Sequence, residues 1–137
     1  MLYVEIISGL WIGNIDVMYN KKFIEDNNIS VILNCTTTYK FPDHIGIQNI
    51  RVPLSESLYH NLDIIRQYKD KLLTFIDESL DEHNILVCCY DGKTMSPFII
   101  SLYLLQYGDI NKNKIKGIIR SKNTNISMDY DLELLDL

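Results

Sequence analysis

The segment from Ile85 to Pro97 constrains the fold most, because its residues predict a strand, a tight loop and a helix in succession. Residues 85–89 lack polar alternation, which indicates a strand buried on both faces of a sheet. A strand that turns through Gly92 into a helix directs backbone N–H groups inward, and the helix dipole adds positive charge there. The segment therefore predicts an anion-binding turn with a nucleophilic cysteine, Cys89, at its start. The alternative is that Cys88 and Cys89 are small core residues at a strand end.

Length and composition restrict the class of protein. The chain has 137 residues, 47% of them hydrophobic, and a net charge of -5, which predicts one globular domain over residues 1–137. The negative charge argues against binding to nucleic acid or to an anionic membrane. Three cysteines do not form a disulfide framework, and neither a signal peptide nor a spanning apolar run is found. We therefore expect a cytoplasmic protein.

Strand patterns alternate with helix patterns along the chain, which predicts an α/β fold with a central sheet flanked by helices. Asp16 and Asn61 are expected to cap the first two helices. Strands are predicted at residues 4–7, 10–13, 29–34, 47–54 and 85–89, and helices at 17–26, 62–80, 96–107, 112–121 and 128–135.

Several short segments resemble one known family in place and order. They are Leu-Trp-Ile-Gly-Asn at 10–14, the strand at 29–35, Val-Pro-Leu at 52–54, Phe-Ile-Asp at 75–77, Ser-Pro at 96–97 and Ile-Arg-Ser-Lys at 119–122. On these segments the chain resembles a compact dual-specificity protein phosphatase, one of the cysteine-dependent phosphatases, and the poxviral H1-type members most. The active-site pattern of that family is His-Cys, two residues, Gly, two residues, Arg-Ser. Here those places hold Cys88, Cys89, Gly92, Met95 and Ser96.

The resemblance implies a role for each residue of the loop. Cys89 would take the phosphoryl group, and Ser96 would assist its departure as a leaving group. Backbone N–H groups would cradle the phosphate oxygens along Tyr90, Asp91, Gly92, Lys93, Thr94 and Met95. Counting onward from Val-Pro-Leu places Glu56 where the family has its general acid, usually Asp. The longer side chain shifts that carboxyl group, so a solvated loop carboxylate is the alternative for Glu56.

The departures from the family pattern decide the functional prediction. Arginine offers a charged, planar fork that matches phosphate, and Met95 offers neither charge nor fork. An arginine acting on a transferring phosphoryl group can contribute ~10³–10⁵ in rate. Cys88 also replaces the histidine whose imidazole would help to stabilise the Cys89 thiolate. Lys93 is not expected to substitute, because the equivalent position faces outward and Asp91 offsets its charge.

The sequence therefore predicts a pseudophosphatase that acts by binding a partner protein, a phosphoprotein or a second copy of the chain being candidates. The alternative is a slow phosphatase that uses Cys89 and Glu56. No cofactor or metal is predicted, because the three histidines lack metal-ligand spacing and are expected in surface loops. A redox pair of Cys88 and Cys89 is disfavoured, because a vicinal disulfide strains the backbone and no Cys-x-x-Cys motif is present.

Overall fold

The protein is described by a computed structural model that covers all 137 residues. Its strands are β1 (Tyr3–Ile7), β2 (Leu10–Gly13), β3 (Ile29–Asn34), β4 (Gln48–Arg51) and β5 (Asn84–Cys88). Its helices are α1 (Ile15–Met18), α2 (Lys21–Asp26), α3 (Leu58–Ser79), α4 (Met95–Tyr107) and α5 (Lys112–Lys122), followed by one 3₁₀ turn (Leu132–Leu135). The strands form one sheet in the order β1-β2-β5-β3-β4, so the predicted α/β fold is confirmed.

Strand β5 lies at the centre of the sheet and leads into the candidate site. It pairs in parallel with β2 on one side and with β3 on the other. Its side chains alternate between two hydrophobic clusters: Ile85 and Val87 belong to the larger one, and Leu86 and Cys88 to the smaller. The larger cluster joins the sheet to α3, α4 and α5, and the smaller one joins it to α1 and α2. Both faces of β5 are therefore buried, as its apolar composition predicts.

The helix predicted over 17–26 is wrong in its start and its continuity. Asn14, not Asp16, caps α1 by accepting a hydrogen bond from the N–H of Val17 at 3.2 Å. Asn20 begins a second helix by accepting from the N–H of Phe23 at 2.8 Å. Asparagine side chains compete for backbone N–H groups, and here the second cap divides the segment into two short helices.

The prediction for β4 and α3 is corrected on both sides of the loop that joins them. Strand β4 ends at Arg51, because Pro53 cannot extend a ladder and the N–H of Leu54 donates to the Val52 carbonyl in a tight turn at 2.8 Å. Helix α3 begins at Leu58, so Asn61 is not its cap. Asn61 lies inside the helix, and its buried side chain bonds the loop instead.

The C-terminal segment does not form the predicted helix over 128–135. Met128 has a φ of 50°, and its N–H donates to the Lys93 carbonyl at 3.0 Å. Tyr130 packs edge-on against Phe98 with the ring centroids 5.0 Å apart, and it exchanges a hydrogen bond with Ser101 at 2.8 Å. Packing against α4 and the loop before it therefore outweighs local helix propensity.

The apolar character of α4 is explained by its burial against the sheet and α3. None of the helices combines the length and apolar composition needed to cross a lipid bilayer.

Candidate functional site

The chain leaves β5 at Cys88 and forms a tight turn around the sulfur of Cys89. The N–H of Gly92 donates to Cys89 Sγ at 3.2 Å, and the N–H of Ser96 donates to it at 3.4 Å. Asp91 accepts from the N–H of Lys93 at 2.9 Å and so stabilises the middle of the turn. The backbone therefore converges on the sulfur, as predicted for an anion-binding turn.

Gly92 is required by the shape of this turn. Its φ is 72°, in the left-handed region that side chains disfavour. A Cβ atom at this position would lie 2.9 Å from Leu2 Cδ2 and 3.1 Å from the backbone nitrogen of Asn14. The turn thus packs closely against the N-terminal segment, and only glycine fits there without a shift.

The environment of Cys89 disfavours its thiolate. Burial raises the pKa of the thiol, and the charge of Asp91 raises it further. Hydrogen bonding from Ser96 and from the N–H of Gly92 lowers the pKa, but the net direction is upward. The Ser96 hydroxyl is fully buried without a hydrogen bond of good geometry, although it lies close enough to Cys89 to favour the thiolate. The turn therefore holds a neutral thiol at neutral pH.

The other two cysteines are also buried. Burial raises the pKa of Cys35 and of Cys88, and the proximity of Cys89 adds to both shifts. The Cys88 thiol belongs to the small cluster on the opposite face of the sheet from Cys89. Cys88 therefore does not enter the turn that its neighbour begins.

Met95 is the first residue of α4, and its side chain is only 3% exposed. It belongs to the large hydrophobic cluster and also lines a cavity next to Cys89. Its Sδ accepts a hydrogen bond from Asn61 Nδ2 at 3.5 Å. The side chain is thus built into the packing between α3 and α4.

The cavity beside Cys89 has a volume of about 710 Å³ and no cationic lining. It has two carboxylates, those of Glu56 and Asp91, and no Lys, Arg or His among its lining residues. The lining comprises Cys35, Thr36, Thr37, Thr38, Tyr39, Leu54, Ser55, Glu56, Cys89, Tyr90, Asp91, Thr94 and Met95. The formal charge of the side chains that line this cavity is therefore negative.

Comparison with known proteins identifies the fold. The model of the family described as "Dual specificity phosphatase, catalytic domain" matches residues 10–134. The chain belongs to the dual-specificity phosphatase family.

Curated relatives agree with this assignment. The chain is 28% identical over 138 residues to human dual specificity protein phosphatase 6, an alignment that covers 97% of this chain and 35% of the relative. It is 27% identical over 136 residues to human dual specificity protein phosphatase 16, covering 96% and 20%. It is 26% identical over 121 residues to dual specificity protein phosphatase 1B of Arabidopsis thaliana, an alignment that covers 86% of this chain and 70% of the relative. The chain thus spans only 20% and 35% of the length of these two human relatives.

Solved structures show the same fold at low identity. Human DUSP28 superposes with a TM-score of 0.85 at 14% identity, covering 98% of this chain and 90% of that one. DUSP15 superposes with a TM-score of 0.84 at 18% identity, covering 98% of this chain and 85% of that one. The human tyrosine phosphatase-like serine/threonine/tyrosine-interacting protein superposes with a TM-score of 0.78 at 14% identity, covering 98% of this chain and 93% of that one.

Within this dual-specificity phosphatase domain, the residues expected to form the site fall into three groups. Gly92 and Ser96 donate backbone hydrogen bonds to Cys89. Lys93 lies outside the cavity, and its side chain lines a separate hollow beside the N-terminus. The remaining predicted residues line the cavity: Cys89, Tyr90, Asp91, Thr94, Met95 and Glu56.

Glu56 is exposed, and its carboxylate makes no hydrogen bond or ion pair. Burial raises the pKa of the Tyr39 hydroxyl, and the neighbouring Tyr90 and Glu56 raise it further. Glu56 therefore lies near the Tyr39 hydroxyl on the rim of the cavity. Glu56 lines the cavity as a free carboxylate, with no group that holds it in position.

Sequence reasoning missed the wall of the cavity formed by residues 36–39. Asn34, fully buried at the end of β3, accepts from the N–H and hydroxyl of Thr36 and donates to the Tyr39 carbonyl. Arg51 donates to the carbonyls of Thr36 at 2.8 Å and Tyr39 at 2.7 Å, and its guanidinium lies 4.8 Å from the Phe41 ring centroid. The one available signal was the polar run after strand β3, since loops that follow strands often carry binding residues.

The histidines do not contribute to this cavity. His60 lies in the first turn of α3 rather than in the predicted loop. His44 and His83 do lie in loops, and their rings bond the Met18 carbonyl and the Ser30 hydroxyl, each at 2.8 Å.

Proposed function

We propose that this dual-specificity phosphatase domain is a pseudophosphatase, with hydrolysis of phosphate esters severely impaired, and that it acts by binding another protein. The observation that carries the proposal is the lining of the cavity beside Cys89. That cavity contains the carboxylates of Glu56 and Asp91 and no cationic side chain. Met95 fills the position where the family pattern has arginine.

Electrostatics supports impaired catalysis. A phosphate dianion is strongly hydrated, and it exchanges water for protein only where cationic groups or many donors replace the lost solvation. Here the two carboxylates repel the dianion. The absent guanidinium alone corresponds to a loss of ~10³–10⁵ in the rate of phosphoryl transfer.

The state of the nucleophile supports the same proposal. A cysteine attacks as its thiolate, and burial raises the pKa of the Cys89 thiol. The N–H groups of Gly92 and Ser96 partly stabilise the thiolate but do not reverse the effect of burial. At neutral pH the reactive form of Cys89 is therefore a minor population.

The proposal includes the kind of partner. We favour recognition of a protein through the surface of the domain over capture of a phosphorylated residue, because the cavity repels a dianion. A second copy of this chain is the other candidate. The proposed location is the cytoplasm, that of a host cell if the likeness to poxviral phosphatases reflects a viral source.

A slow phosphatase is the second candidate function. It is favoured by the position of Glu56, which lines the same cavity as Cys89 and could donate a proton to a leaving group. It is also favoured by the two N–H groups that reach the sulfur.

The two candidates are separated by an assay with para-nitrophenyl phosphate. The wild-type protein and Cys89→Ser should hydrolyse it at the same, near-background rate. An active dual-specificity phosphatase serves as the control for the assay. Turnover above background that is abolished by Cys89→Ser would establish the enzyme and overturn the pseudophosphatase proposal.

A further inference from the structure

We infer that the cavity beside Cys89 binds a cation, namely the guanidinium of an arginine side chain presented by the partner protein. The inference rests on the proposed function, because it assigns a new ligand to the cavity from which phosphate is excluded. Three observations support it: the charge of the side chains that line the cavity, the pair of tyrosines on one wall and the polar groups around them.

The charge of the cavity has no counter-ion within the chain. The Glu56 carboxylate makes no ion pair, and the Asp91 carboxylate makes none either. Two nearby cations do not pair with these carboxylates: Arg51 is bonded to backbone carbonyls behind the wall, and Lys93 lines an adjoining hollow, shared with Tyr90 and Asp91, without forming an ion pair. Because the whole chain also carries a charge of -5, a basic segment is attracted to this surface, whereas an anion is not.

Two aromatic rings form a wall suited to a cation. The ring centroids of Tyr39 and Tyr90 lie 5.7 Å apart with the planes inclined at 36°. Tyr90 is 47% exposed and lines the cavity, so its side chain is accessible to a ligand there. A guanidinium placed over such a face, within about 6 Å of the ring centroid, is attracted by the ring quadrupole.

The wall is held in place before any ligand arrives. Asn34 and Arg51 both donate to the carbonyl of Tyr39, at 3.0 Å and 2.7 Å. Tyr90 follows Cys89 directly, so the turn around the sulfur fixes its backbone. A binding surface that is ordered in advance loses less entropy when the ligand binds.

The chemistry of the lining favours arginine over lysine. A guanidinium presents five donors in a plane and stacks on aromatic rings, whereas an ammonium does neither. The lining supplies acceptors in the hydroxyls of Thr37, Thr38 and Thr94 and in the two carboxylates. A volume of about 710 Å³ accommodates a whole arginine side chain.

The inference is tested by titrating ¹⁵N-labelled protein with N-acetyl-arginine N-methylamide. The matched neutral probe is the citrulline compound, which has nearly the same shape without the charge, and inorganic phosphate is titrated in parallel. We expect saturable shifts in the amides of residues 36–39, 56 and 89–94 with the arginine probe. The citrulline probe should bind about tenfold more weakly, because it lacks the positive charge and two of the five N–H donors of the guanidinium.

Two variants locate the binding. Glu56→Gln removes one charge at an exposed, unbonded position and should weaken the arginine probe about tenfold. Glu82→Gln removes the same charge in the turn after α3, outside the cavity, and should leave binding unchanged. Both side chains are exposed, so neither change threatens the fold.

The outcomes separate this inference from the function on which it rests. Equal binding of the citrulline and arginine probes, shifts confined to other surfaces, or no effect of Glu56→Gln would overturn the arginine inference alone. Saturable phosphate binding at the turn, together with Cys89-dependent hydrolysis, would overturn the proposed function as well. Saturable binding of the arginine probe alone, with phosphate inert, would support both.

Discussion

The side-chain amide of Asn61 donates a hydrogen bond to the sulfur of Met95 across 3.5 Å. The same amide group accepts from the Ser55 N–H at 2.9 Å and donates to the Ser55 carbonyl at 2.7 Å. One buried side chain on α3 therefore connects the loop that carries Glu56 to Met95, which occupies the position of the arginine in the family pattern. Methionine at this position is integrated into the packing of the site.

Restoring the arginine should restore anion binding. We expect Met95→Arg to bind inorganic phosphate measurably where the wild type does not, because charge and fork return at the start of α4. Stability should fall by about 1–3 kcal/mol, because a buried apolar side chain is replaced by a charged one. The measurement is phosphate titration by NMR, with urea unfolding to confirm that each variant is folded.

Two further variants dissect that result. Met95→Lys introduces a positive charge without the planar guanidinium, and Met95→Leu introduces neither. The expected order of phosphate affinity is arginine, then lysine, with leucine inert. If folded Met95→Arg binds phosphate no better than Met95→Leu, the missing guanidinium is not the main defect of the site.

Removing the Asn61 side chain should weaken the whole domain. Asn61→Ala removes the buried side chain that bonds the Ser55 N–H and carbonyl, at a cost of about 1–3 kcal/mol in the free energy of unfolding. Asn49→Ala serves as the control, because Asn49 is exposed on β4 and its side chain makes no hydrogen bond, so its effect should stay within about 0.5 kcal/mol. Urea unfolding measures both variants. Equal losses in the two would show that the Asn61 contacts add nothing to stability.

Two glycine-to-alanine substitutions should change stability in opposite directions. Gly92→Ala forces a side chain into a φ of 72° and into contact with Leu2 Cδ2 at 2.9 Å, which should cost at least about 1–2 kcal/mol. Gly117 lies within α5 with no atom within 4 Å of the added methyl group, so Gly117→Ala should stabilise by about 0.5–1 kcal/mol. Thermal unfolding checks both signs. A stable Gly92→Ala protein with an unchanged turn would contradict the stated need for glycine.

The reactivity of Cys89 should depend on pH in the direction set by its burial. Because the pKa of its thiol is raised above the ordinary value of about 8.5, the thiolate fraction is small at neutral pH and keeps increasing above pH 9. Alkylation by iodoacetamide, followed at Cys89 by peptide mass spectrometry, should therefore not level off below pH 9. Met95→Arg should move the profile to lower pH. A plateau below pH 8 in the wild type would mean that the turn stabilises the thiolate more than burial opposes it.

The central strands and the turn after β5 were predictable because their signals are local. Residues 29–34 carry a β-branched run, and Gly92 marks the position where the backbone must adopt a positive φ. The strand boundaries at 10–13 and 29–34 match the structure. The buried helix after the turn was predicted over 96–107 and begins one residue earlier, at Met95.

The cavity wall was not predictable because it depends on partners distant in sequence. Residues 36–39 take their shape from Asn34 and Arg51, and nothing in a polar run of threonines specifies that an arginine fifteen residues away bonds the Thr36 carbonyl. The helix predicted over 128–135 was wrong for the same reason. Its leucines and carboxylates suggest a helix, yet the N–H of Met128 bonds the Lys93 carbonyl, and Tyr130 packs against α4.

The turn between β5 and α4 separates residues that hold its shape from residues that face outward. Cys89, Gly92 and Ser96 are buried and linked by hydrogen bonds that close on the sulfur itself, so the turn needs no bound anion. Tyr90 and Lys93 are exposed between them. Side chains at those two positions can be exchanged without disturbing the frame, as in the hypervariable loops of an immunoglobulin domain. The turn is thereby available as a scaffold on which selection, or a protein engineer, can install new side-chain chemistry.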